Sequence, residues 1–76
     1  MHVEIHEHMT EVDALVHLAK VLAAFEQKYR MSSEEFFDKY TKGETDDSAD
    51  SIEWVGNYRH YLGLREELEG QLRHVA

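Results

Sequence analysis

Six histidines in a chain of 76 residues are the first candidates for chemistry. His2 and His6 stand four apart, which on a helix puts both imidazoles on one side, and His8 with Glu4 or Glu11 would complete a set of zinc or nickel ligands. The same residues read as a solvated, frayed arm, because order is least expected at a chain end. That arm is the expectation, with the metal-responsive set as its alternative. His17, His60 and His74 have no partner at ligand spacing, and the Glu-x-x-His pair of helical di-iron sites is missing.

Carboxylates are the second resource. Glu34, Glu35, Asp46, Asp47 and Asp50 could pair for acid and base work, yet nothing around them in sequence suggests a pocket that would separate their pKa values. The Asp-x-Asp-x-Asp-Gly spacing of a calcium loop is absent, as are glycine-rich phosphate loops. There is no cysteine, and Ser32, Ser33, Ser48 and Ser51 all stand where helices start, so no hydroxyl is marked as an activated nucleophile. The expectation is a non-catalytic protein with no cofactor.

Charge narrows the partners. The formal net charge is −8, and residues 31–53 hold eight acids against two bases. Such a surface repels nucleic acid, whose binding depends on Lys and Arg displacing counterions. It suits either solvation of a loop and its helix starts or a basic protein partner. No apolar run approaches the roughly 20 residues of a membrane span, and no signal peptide is evident, so a cytoplasmic location is expected.

Helices must position these groups, since the chain has no proline and only four glycines. Residues 10–30 form the first expected helix, with Thr10 as its cap after an arm over 1–9, or with the helix running back to about His6. Val12, Leu15, Val16, Ala19, Leu22 and Ala23 cluster on it, and Ala14, Leu18, Val21, Phe25 and Tyr29 widen the apolar arc. The arc exceeds the roughly 100° that one neighbour covers. The helix should therefore be covered from two directions, by its own chain and by a second chain, identical or different. A short helix over 33–41 follows from Ser32 and Glu35 as a capping box, with Met31 and Phe36 as the staple, and Gly43 should end it.

An acidic linker over 42–48 leads to a last helix over 49–74, capped by Asp47 or Ser48. Trp54, Tyr58, Tyr61, Leu68, Leu72 and Val75 make its seam, with Arg65 at one seam position. Gly56, Gly63 and Gly70 recur on nearly the opposite side, as an unselected solvent face or as a site for close approach of a partner backbone. The fold class expected is all-α. Two long antiparallel helices joined by a short one should dimerise into a four-helix-type bundle, because 76 residues make only a small core.

The run Tyr29, Met31-Ser32-Ser33, Glu35-Phe36, Tyr40, Gly43-Glu44, Asp47, Asp50 and Glu53-Trp54, followed by Tyr58 and Tyr61, resembles small prokaryotic antitoxins of the TumA type over residues 29–64. The resemblance implies a cognate toxin, usually of the TumE type, neutralised by binding. It defines no residue roles. The chain departs from antitoxins that carry a DNA-binding module, having neither a helix-turn-helix signature nor a basic face. On the residues themselves, Glu34, Glu35, Glu44, Asp46, Asp47 and Asp50 are the candidates for contact with a basic partner. Trp54, Tyr58 and Tyr61 are either core or interface. The alternative function is a homodimeric helical adaptor.

Overall fold

The computed structural model describes residues 10–75, with side chains as far as residue 73. The arm over 1–9, with His2, His6 and His8, lies outside the described residues, as do the side chains of His74 and Val75. Among the described residues the protein is all-helical: α1 Glu11–Tyr29, α2 Ser33–Thr41 and α3 Ala49–Val75.

Local chemistry explains each boundary. Thr10 accepts the Asp13 N–H at 3.0 Å while Asp13 accepts the Thr10 N–H at 3.5 Å, a reciprocal cap on α1. At the other end Arg30 adopts the left-handed conformation (φ 56), and the Glu26 carbonyl accepts from the N–H groups of both Arg30 and Met31. No glycine marks that stop, and sequence inspection missed the left-handed residue.

Ser32 caps α2 by accepting the Glu35 N–H at 3.0 Å. Glu35 returns no bond among the described residues, so the expected capping box is half made. Glu26 of α1 holds the next residue instead, accepting both the Ser33 N–H at 2.9 Å and the Ser33 hydroxyl at 2.7 Å. Gly43 (φ 73) turns the chain out of α2. Ser48 then caps α3 by accepting the Ser51 N–H at 3.2 Å; Asp47 takes no part.

The two long helices run antiparallel. Asp50 at the start of α3 meets Lys28 and Tyr29 at the end of α1, and Gln71 near the end of α3 donates to Glu11 at 3.2 Å. α2 packs over the groove between them at one end only. There Trp54, 1 % exposed, stacks on Phe36 with ring centroids 4.0 Å apart, and on Phe25 and Tyr29 at 5.4 and 5.6 Å. Leu22, Val55 and Tyr58 complete this core. Beyond Tyr58 in α3, and before Leu18 in α1, no described residue is buried. The molecule is 18 Å thick in its thinnest direction, with a radius of gyration of 14.8 Å. A compact chain of this length would have about 11 Å.

Candidate binding surface

Residues 31–53, which join α1 to α3, carry eight of the sixteen acids, and hydrogen bonding separates two groups among them. Asp46 and Asp50 are committed to the fold. Asp46 accepts the Ser48 N–H at 3.1 Å and the Ser51 hydroxyl at 2.8 Å, which fixes the first turn of α3. Those bonds, led by Ser51, hold its carboxyl below the usual range. Asp50 accepts from Lys28 at 2.7 Å and from the Tyr29 hydroxyl, tying the end of α1 to the start of α3. Lys28, then Tyr29, lower the Asp50 pKa, and Asp50 in turn raises both of theirs.

Glu34, Glu35, Glu44 and Asp47 form the other group. All four are exposed, and their carboxylates make no hydrogen bond or ion pair among the described residues. Glu34 and Glu35 occupy the first turn of α2, where the helix dipole favours negative charge. Glu44 and Asp47 stand in the linker. Asp38 on the same helix is paired with Lys42 at 2.9 Å.

Between α2, the linker and α3 lies an open cleft of about 260 Å³, with Tyr29, Met31, Phe36 and Trp54 on its apolar side and Glu44, Asp46 and Lys39 among its polar lining. Trp54 offers it little surface, because its ring is stacked and its indole N–H donates to Ser33 Oγ at 2.9 Å. Tyr58 is also buried (8 % exposed), and burial, followed by the charge of Glu34, pushes its phenol up. Tyr61 is half-buried. Of the three aromatic candidates, two are therefore in the core.

The chain from Trp54 through Ser33 to Glu26 was not foreseen from sequence. A serine hydroxyl donating to a carboxylate has the composition of an activated nucleophile. Here Ser33 is 2 % exposed and its oxygen also receives the indole N–H, so its bonds are made within the protein. Its task is to satisfy the buried indole N–H and to meet the half-buried Glu26 carboxylate at the junction of all three helices. The only sequence signal would have been Glu26 and Ser33 on either side of a helix break, which many unrelated chains share.

Elsewhere among the described residues no three His, Asp or Glu side chains are grouped to hold a metal ion, and no helix is long and apolar enough to cross a membrane. An added Cβ on Gly56, Gly63 or Gly70 would meet nothing within 4 Å, so this chain alone makes no close approach there. A second surface is apolar: a groove of about 490 Å³ at the end away from α2, lined by Val12, Leu15, Leu68 and Leu72 with Arg65, Glu69 and Gln71. No protein-family profile, characterised protein or solved structure matches the chain.

Proposed function

We propose that the protein is a cytoplasmic, non-catalytic binding module of the antitoxin kind, which self-associates and neutralises a basic toxin through its acidic hinge and apolar helix faces. The observation that carries this reading is the set of four exposed carboxylates, Glu34, Glu35, Glu44 and Asp47, on one short helix and its linker, with no partner among the described residues. Charges already paired would have to break those pairs to meet a partner, whereas these four are available at the cost of hydration alone. The resemblance of residues 29–64 to TumA-type antitoxins supports the same reading and supplies the class of partner, a toxin encoded beside it.

Co-expression with the product of the neighbouring gene tests it. The two proteins should copurify, and growth arrest caused by that product should be relieved. Replacing Glu34, Glu35 and Glu44 by Gln and Asp47 by Asn should weaken the complex about tenfold or more at low salt, with little change in helicity. Copurification unaffected by these four replacements would remove the hinge from the interface. No copurification and no relief would remove the antitoxin reading itself.

A further inference from the structure

The exposed side of α1 carries a stripe that the fold does not use. Val12, Val16, Ala19 and Ala23 step by four, three and four residues, so they stand in line along the helix. This line lies about 100° round from the buried Leu18 and Leu22. Val12 is 56 % and Val16 48 % exposed, and both alanines are exposed. At its amino-terminal end the stripe runs into the apolar groove, where Leu72 is 70 % exposed.

Charge beside the stripe indicates what covers it. On the flank away from the groove the charged residues are Asp13 and Lys20, of opposite sign and seven apart, hence on the same side of the helix. Lys20 pairs with no carboxylate among the described residues. A second copy docked in parallel would turn this flank toward the partner's opposite one, with Leu15, Leu18 and Leu22, and leave both charges without a partner. Docked antiparallel, about a twofold axis between Val16 and Ala19, it sets Val16 on Ala19, Val12 on Ala23, and Asp13 beside Lys20 twice over. Asp13 also caps Thr10, but a carboxylate has lone pairs to spare.

We infer that α1 is the dimer interface: a second copy packs antiparallel along Val12, Val16, Ala19 and Ala23, with its register set by two Asp13–Lys20 ion pairs. This deepens the self-association in the proposed function and rests on that reading. A strip about 18 Å long and about 10 Å wide falls short of the about 800 Å² per partner of a standard interface. The interface therefore extends over the groove mouth, covering Leu15 and Leu72. The symmetric contact places two α1 helices side by side, each backed by its own α3.

Sedimentation equilibrium on the full chain tests this, with circular dichroism as the check on folding. Wild type should be a reversible dimer. Val16→Glu puts a charge in the seam but on a site half-exposed in the single chain, so helicity should hold while dissociation rises about a hundredfold. Lys20→Glu should weaken the dimer about tenfold, and adding Asp13→Lys should restore it. A wild-type chain that stays monomeric at high concentration overturns the proposal. So does a dimer indifferent to Val16→Glu, while one unchanged or tightened by Lys20→Glu overturns the antiparallel register. Toxin binding is read separately through Glu34 and its neighbours, so a monomer that still neutralises the toxin sinks the interface and the self-association but leaves the toxin-binding part of the proposed function standing.

Discussion

At the scale of single residues the protein depends on two polar arrangements that meet at the hinge. Ser33 accepts the indole N–H of Trp54 and donates to Glu26, all three from different helices. Ser33→Ala leaves a buried indole N–H without a partner, which should cost about 1–3 kcal/mol in urea unfolding. Trp54→Ala opens the centre of the aromatic stack and should cost about 3–5 kcal/mol. Because Trp54 is the sole tryptophan and is 1 % exposed, its emission reports unfolding as a red shift. The carboxylates make a second residue-scale prediction, in which the signs differ. Asp46 and Asp50 have pKa values lowered by their hydrogen bonds, so the folded state binds their protons less tightly than the unfolded chain does. Their contribution is present above the ordinary carboxylate pKa of about 4 and disappears as pH falls through the lowered values. Glu67 is opposite: its contact with Glu11 raises its pKa, so its contribution is favourable below the unfolded pKa and lost as pH rises through the folded one. Denaturation midpoints measured against pH should fall on the acid side in wild type, less steeply in Asp50→Asn. Glu67→Gln should raise the midpoint at neutral pH and leave it unchanged in acid.

At the scale of the helix, the glycines give opposite predictions from one substitution. Gly43→Ala meets no neighbour, yet φ of 73 strains any side chain, so it should destabilise by about 1 kcal/mol. Gly56, Gly63 and Gly70 sit inside α3 with open space where a Cβ would go, so each change to Ala should stabilise the single chain by about 0.5–1 kcal/mol in thermal unfolding. These positions also explain what could be read in advance. The start of α2 was legible because Ser32 and the Met31–Phe36 staple act within a few residues, and its end because Gly43 is suited to a left-handed turn. Arg30 takes the same conformation without any such mark, since what holds it is the pair of bonds to the Glu26 carbonyl. The choice between Asp47 and Ser48 as the cap of α3 was open in sequence. Asp46, which neither reading considered, settles it by accepting from Ser48 and Ser51. The acids of the hinge were visible as a group, but their division into structural and unpaired sets depends on Lys28 and Tyr29, more than twenty residues from Asp50 in the chain.

At the scale of the whole molecule the burial is lopsided, and this has a dynamic consequence. The aromatic core closes one end of the hairpin with three helices, while the other end is two helices with Val12, Leu15, Leu68 and Leu72 around an open groove. The wide apolar arc of α1 was evident from its sequence, but a periodicity records only that a face is apolar and not which chain covers it. Opening free energy in a native protein follows local buried contact. Amides in α3 after Tyr61 and in α1 before Leu18 should therefore exchange through local opening, ahead of those around Leu22, Trp54 and Tyr58, which require global unfolding. If a second copy covers the open end, association stabilises the closed form by mass action. At a chain concentration about ten times the dissociation constant, about a fifth of the chains are monomeric and exchange through the opened monomer should slow about fivefold. The slowing should be confined to the open end and absent in Val16→Glu. Hydrogen exchange followed by mass spectrometry at two chain concentrations measures both quantities on one sample. Uniform protection along α3, independent of concentration, would mean that the groove end is as firmly held in the single chain as the aromatic end. That result would count against both the gradient of stability and the dimer drawn from it.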